Sequence, residues 1–272
     1  MQIGIFAKTF EGTNPEKVLR AVADAGYITC QFNMACSGLS SLPEHITTEQ
    51  IESIRSATHN TGVSITALSA TYNMIHPDIE VRDRGLRSLE VLARVAKSLK
   101  IELLTLCTGS RNPDDQWAYH SDNQSSQAWA DLRYAMEKAL DVAEANGIFL
   151  GIEPERGNVV NSAAAARLLI TEMGSSCLKV VIDPANLVSP ESGAEQKAII
   201  ANAIDQVAEY IMLAHAKDRD TQGQVVAVGQ DVIDFSHFIA RLRNVGYGGP
   251  LITHGLAASD AYNVSKFLEG II

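Results

Sequence analysis

Residues 149–155 read FLGIEPE, an apolar run that closes on Glu153 and Glu155 on either side of a proline. The same construction returns three times downstream. KVVIDPAN at 179–186 carries Asp183, YIMLAHAKDRD at 210–220 carries His215, and PLITHGL at 250–256 carries His254. A buried β-strand needs only Val, Ile and Leu, and a carboxylate or imidazole at its end costs desolvation unless something pairs it. Four such ends in succession, on one side of a sheet, make a polar cluster where an active site belongs.

Working outward, strand-like and helix-like segments alternate along the whole chain. The strand candidates are QIGIFAK, YITCQFNM, VSITALSA, ELLTLCTG, IFLGIEPE, LKVVIDPAN, YIMLAHAKD and PLITHGL. Segments of helical period lie between them, one carrying Val18, Ala21, Val22 and Ala25, a longer one Leu89, Leu92, Ala93 and Ala96. Asn14-Pro15 reads as an N-cap followed by proline at the first helical position, and Thr47 with Gln50 as a capping box. Gly26, Gly62, Gly147, Gly246 and Gly249 precede strands and suit helix C-caps or turns. Eight βα units without a linker predict one parallel sheet closed into a (β/α)8 TIM barrel, a single α/β domain over residues 1–272. An open doubly wound sheet lacks its signature, because the first strand exits through AKTFEGTNPEK and not GxGxxG. Long segments after strands two, four and seven (34–47, 109–124 and 219–234) fall on the C-terminal face and read as substrate walls or lids.

At 272 residues with 46% hydrophobic content, the chain has ample material for one large core. No run of about 18 apolar residues suggests a membrane span. MQIGIFAK reads as a first strand and not as a signal peptide. Cys30, Cys36, Cys107 and Cys177 lack CxxC spacing, and buried free thiols in a reducing cytoplasm are the expectation. A net charge of −10 argues against nucleic acid or an anionic membrane as partner.

Glu153, Asp183, His215 and His254 offer oxygen and imidazole ligands. That set suits one divalent ion (Mn, Mg, Co, Zn or Fe) and not a soft-metal thiolate centre. The bland alternative is that each group pairs with a neighbouring cation.

IEPERGNVVNSAAAARLL, LKVVIDPANL, LAHAKDRD and GYGGPLITHGL, with LSATYNMIHPD and LCTGSRNPDDQW upstream, resemble strand-end segments of the sugar phosphate isomerase/epimerase family of xylose-isomerase-like barrels. The resemblance runs from Gly4 to about Leu268. It implies a single barrel, a divalent metal and a small sugar or polyol substrate, with a homodimer or tetramer as the assembly. In that family the ligands are Glu, Asp, His and a last Glu. Glu153, Asp183 and His215 match the first three, whereas the fourth position is His254. The substrate-touching His expected three residues after the Asp is Asn186.

Those departures bear on mechanism. Moving a proton at a carbon beside a carbonyl needs a base and an electrophile, and a metal can be the electrophile. A scheme with one glutamate on each face of the enediolate does not carry over to His254. His254 is expected either as a ligand or as a proton carrier, and Glu153 as base or ligand. Glu155 either pairs with Arg156 or Lys217 or acts as a spare acid. Lys217 and Arg219 could bind a phosphate or carboxylate, or pair with Asp218 and Asp220 at the surface. Arg111 is a second anion candidate, so phosphorylation of the substrate stays open. Asn73 and His76 at the strand-three exit read as substrate contacts, with a loop cap as the alternative for His76. Trp117 could stack on a sugar; Tyr119, His120 and Asn123 share its loop. His45, His59 and His237 read as solvated surface, and Gly109 and Gly229 as turn residues.

The leading expectation is a metal-dependent isomerase or epimerase of a small sugar, keto-sugar or polyol derivative, working through a metal-stabilised enediolate. The alternatives are dehydration of a keto-inositol-type substrate and a non-catalytic sugar-binding barrel. DNA repair on the same barrel would need more ligands and a basic footprint, and both are missing from the sequence.

Overall fold

The computed structural model describes residues 1–230 and 232–272. Eight parallel strands close a barrel: β1 (Ile3–Phe6), β2 (Thr29–Phe32), β3 (Ser64–Ser69), β4 (Leu103–Leu106), β5 (Phe149–Ile152), β6 (Leu178–Ile182), β7 (Ile211–Ala216) and β10 (Leu251–Thr253). The ring order is β1-β10-β7-β6-β5-β4-β3-β2, so every strand sits beside its neighbour in sequence and β1 seals against β10. Each predicted strand is present. A two-stranded antiparallel ribbon, β8 (Asp218–Arg219) with β9 (Val225–Val226), rises from the segment expected as a plain loop over 219–234. Asp231 of that expected loop lies outside the described residues.

The helices are α1 (Pro15–Asp24), α2 (Thr48–Thr61), α3 (Ile79–Leu99), α4 (Ser126–Asn146), α5 (Ala163–Met173), α6 (Pro184–Leu187), α7 (Gln196–Val207), α8 (Phe235–Asn244) and α9 (Ala261–Glu269). Their starts follow the capping chemistry in the sequence. The Asn14 side chain accepts from the Lys17 amide at 3.0 Å, ahead of Pro15. Thr47 and Gln50 bond each other's backbone amides in both directions. Gly62 and Gly147 end α2 and α4 in the left-handed region, as expected. Gly249 lies in the bend that leads into β10, the turn role and not a cap. Val245 and Gly246 end α8, and Lys100 ends α3 at φ +58° without any glycine.

Two apolar compartments hold the fold together. The larger lies between the sheet and its ring of helices; the smaller fills the barrel interior with Ala67, Leu103, Val181, Leu213 and Ile252. The interior is narrow enough to demand glycine on two strands. A Cβ at Gly4 would stand 2.4 Å from Ile252 Cδ1, and one at Gly151 would stand 2.9 Å from Val181 Cγ2. Above this apolar plug the inward positions turn polar, with Gln31, Thr105 and His215 buried near the C-terminal ends of β2, β4 and β7. The barrel therefore has a dry floor and a polar mouth. No helix among the described residues is long and apolar enough to cross a membrane.

Candidate functional site

The four strand-end residues meet at that mouth. The β-ladder continues one residue beyond two of the strands, since the Glu153 amide donates to Leu106 O at 3.1 Å and the His254 amide to Ala216 O at 3.2 Å. Both side chains are thus held with strand-like direction. Asp183 is placed differently: it is the N-cap of the one-turn helix α6, and its carboxylate accepts from the Ala185 amide at 2.9 Å, with Pro184 at the first helical position. His215 is inside β7. One ligand atom from each of Glu153, Asp183, His215 and His254 lies within 4.8 Å of the others.

The contacts among them are specific. Glu153 Oε1 is 3.2 Å from His215 Nδ1 and accepts from Asn186 Nδ2 at 2.8 Å. Asp183 Oδ2 is 3.1 Å from His254 Nε2 and 3.1 Å from Lys217 Nζ. Lys217 Nζ also donates to Asn186 Oδ1 at 2.6 Å. Asn186 therefore bridges Lys217 and Glu153. The two imidazoles meet edge to face, with ring centroids 4.6 Å apart.

Titration directions follow from this packing. Burial would raise Asp183, but the Lys217 ammonium and the His254 hydrogen bond hold its carboxyl far below the usual range. Burial would likewise raise Glu153, and the adjacent His215 outweighs it, so Glu153 also lies low and ionised. Lys217 would be lowered by burial, yet Asp183, Glu153 and Glu155 together raise it and keep it charged. Burial pushes Glu155 up to about 7, with Lys217 only partly offsetting it. His254 is held below its ordinary value by burial, against the pull of Asp183. It is a neutral imidazole near pH 7, with a lone pair to offer.

A cavity of about 340 Å³ opens over this cluster and is lined by Glu153, His215, His254, Gln31, Lys8 and Trp117, among others. Trp117 stands where the sequence expectation put it, on the wall formed by the 109–124 segment. Other expected contacts are elsewhere. Arg111 turns away, its guanidinium on Asp131 Oδ2 at 2.7 Å and Ile75 O at 3.0 Å. Buried Asn73 spends its amide on the Ser110 backbone, and Asn123 spends its own on Ser110, Arg111 and Gly157. His76 is a loop cap: Nδ1 accepts from the Asp78 amide at 3.0 Å and Nε2 faces Pro113 O. Arg219 clamps Ala185 O and Gly223 O, and buried Asp218 accepts backbone amides from Arg219, Gly229 and Ile233. The expected surface pairing of Arg219 with Asp218 and Asp220 is therefore replaced by loop bracing. Glu155 has moved off the cavity lining, and its side chain makes no ion pair among the described residues. His45 and His59 are exposed, whereas His237 is half-buried against Lys197 O.

Gln31 escaped the sequence reading. Its Oε1 is 2.8 Å from His215 Nε2, and its Nε2 donates to Thr105 Oγ1 at 3.1 Å. The signal was a glutamine in the middle of the apolar run YITCQFNM. Lys8 and Phe6, at the exit of β1, also line the cavity and were passed over.

The donor set fits a divalent ion. Gln31 Oε1 accepts from His215 Nε2, so Nδ1, on the Glu153 side of the ring, is the nitrogen left to meet a bound ion. Two ionised carboxylates and two imidazoles then offer ligand atoms from one small region, as borderline and hard ions require.

The description "xylose isomerase-like TIM barrel" matches residues 19–263, and the chain belongs to that family. No curated protein matches it in sequence. Among solved structures, the 3-keto-D-glucoside 4-epimerase of E. coli superposes with a TM-score of 0.77 at 17% identity over 98% of each chain. A D-tagatose 3-epimerase-like protein gives 0.78 at 16% identity, over 100% of this chain and 97% of that one. The D-psicose 3-epimerase of Clostridium cellulolyticum H10, solved with D-tagatose, gives 0.76 at 15%, over 100% and 99%. At these identities the likeness is one of fold.

Proposed function

We propose that this barrel is a metal-dependent isomerase or epimerase of a small sugar, keto-sugar or polyol derivative. The observation that carries the reading is the convergence of Glu153, Asp183, His215 and His254 within 4.8 Å beneath a cavity of about 340 Å³. Sugar epimerases with the same fold support the substrate class.

A divalent ion held by these four residues would supply Lewis acidity toward adjacent substrate oxygens. The chain's own groups do the rest. Glu153 is ionised and borders the cavity, so it is the base that takes a proton from the carbon beside the carbonyl. Asn186 Nδ2, 2.8 Å from Glu153 Oε1, holds that carboxylate in its rotamer. Lys217 neutralises Asp183 from behind the site, at 3.1 Å, and so keeps the negative charge of two close carboxylates tolerable. His254 Nε2 stands 3.1 Å from Asp183 Oδ2 inside the four-residue cluster, which favours a ligand role over that of a second proton carrier. A single base returning the proton to the neighbouring carbon gives isomerisation, and return to the opposite face needs a second group.

The test is a screen of ketoses and aldoses with Mn-loaded protein in deuterium oxide. Turnover with solvent deuterium entering beside the carbonyl and with no change in product formula supports the reading. Loss of water would move it to dehydration. If Glu153→Gln turned over as fast as the parent protein, the role given to Glu153 would be wrong.

A further inference from the structure

We propose that the substrate is a glycoside with two units, one over the Glu153/Asp183/His215/His254 cluster and the second in a neighbouring cleft beyond Trp117. The inference rests on the sugar reading above and deepens it.

The cleft measures about 530 Å³ and lies between the exit of β3, the start of α3 and the 109–124 segment. Its lining includes Tyr72, His76, Val81 and Arg84, and it shares Gln116 and Trp117 with the cavity over the cluster. Those two residues therefore face both spaces. Each space falls in the range of small-ligand sites, about 300–1,000 Å³. The inner one, at about 340 Å³, suits a single sugar unit, and the adjoining cleft offers room for a substituent on that unit.

The wall that carries Gln116 and Trp117 is built and not incidental. Buried Asn158 donates from Nδ2 to Gln116 O at 2.8 Å, and the Trp117 amide donates to Asp115 Oδ1 at 2.8 Å. A Cβ at Gly157 would stand only 1.9 Å from Trp117 O, so glycine is required for the backbone to approach from behind. The backbone of the wall is pinned on three sides while the indole remains 42% exposed. A large apolar surface held in the open by its own backbone anchors is ready for a flat apolar partner.

The chemistry of the cleft selects the partner. A pyranose offers an apolar face for Trp117 and a rim of hydroxyls that both donate and accept. Arg84 supplies donors, and Asp114 and Asp115 supply acceptors on the facing loop. With one cation set against two carboxylates, a phosphate or carboxylate substituent is disfavoured and a neutral polyol is matched.

The test uses the Mn-loaded full-length protein and isothermal titration calorimetry with D-fructose and its 3-O-, 4-O-, 5-O- and 6-O-glucosyl derivatives. We expect at least one disaccharide to bind about tenfold tighter than fructose. Val81→Trp, which fills the cleft from α3, and Arg84→Ala, which removes its donors, should each abolish that advantage and leave fructose binding unchanged. Neither residue touches the inner cavity. If fructose binds as well as every disaccharide, the second unit has no site and the proposal fails while the sugar reading stands. If the disaccharide advantage survives both substitutions, the second unit sits elsewhere and the proposal also fails. If neither fructose nor any disaccharide binds, the two-unit site is absent for these glycosides and the proposal fails, while the sugar reading is decided by its own screen.

Discussion

His215 Nε2 stands 2.8 Å from Gln31 Oε1, and that contact decides which face of the imidazole is free. With Nε2 engaged by Gln31, Nδ1 is the nitrogen on the Glu153 side, 3.2 Å from Oε1, and the one left for a bound ion. Gln31 is in turn held by Thr105 at 3.1 Å. Three strands that are distant in sequence thus orient one imidazole.

Removing this support should weaken metal binding without removing a ligand. Gln31→Leu is expected to lower Mn affinity by about 10–100-fold, the usual cost of losing such an outer partner. Gln31→Glu keeps an acceptor at the same place and should retain or raise affinity. Calorimetric titration of the metal-free protein with Mn reads both. Equal affinity in Gln31→Leu would remove Gln31 from the site.

Asp183 and Lys217 form a buried pair, with the Asp183 side chain fully shielded. Asp183→Asn leaves the Lys217 ammonium without its main counter-charge. Breaking one side of a buried pair typically costs about 3–5 kcal/mol. Urea unfolding of the metal-free proteins should show a loss of that order, and Mn binding should disappear in the same variant. A stability change near zero would mean that solvent reaches Lys217.

Asp131 ties the first turn of α3 and the strand-four exit to α4: its Oδ2 accepts from Arg111 at 2.7 Å and from Arg82 at 3.0 Å. Burial acts to raise its carboxyl, but the hydrogen bonds from Arg111, Gln127 and Arg82 win and lower it. A carboxylate lowered on folding stabilises the fold above its unfolded value, about 3.9, and that contribution is lost as pH falls through the folded value. The slope of stability below about pH 4 should therefore be shallower in Asp131→Asn than in the parent protein. Denaturant titrations between pH 3 and 6 test this. Parallel curves would show that the pair forms equally in the unfolded chain.

Gly4 faces the barrel interior, where its missing Cβ leaves room for Ile252 Cδ1 and Thr29 Cγ2. Gly4→Ala should overpack the plug and cost about 1–3 kcal/mol, read as a lower midpoint in thermal or urea unfolding. Gly62→Ala, with nothing near its Cβ, probes left-handed backbone strain alone and separates the two effects.

The sequence by itself determined the barrel, its strands and the four convergent residues. Buried strands must be apolar, so Glu153, Asp183, His215 and His254 stand out at the ends of their runs, and the alternation of strand and helix leaves one simple closure. Cap chemistry at Asn14 and at Thr47 with Gln50 was equally plain, because it acts between near neighbours. What only the tertiary structure decided depends on contacts across the closed ring. A glutamine in β2 reads as one polar residue in an apolar run until closure sets it opposite His215 on β7. Arg111 looks like an anion site until the fold brings Asp131 and Ile75 O within reach of its guanidinium. Lys217 and Arg219 look like one basic patch, yet the ribbon β8–β9 sends the first to Asp183 and the second to the backbone of its own loop and of α6. Gly157 reads as an ordinary loop glycine, and only the approach of Trp117 O explains it. Local sequence sets which residues can be buried polar groups, and the partners that make such burial affordable come from strands far away in the chain.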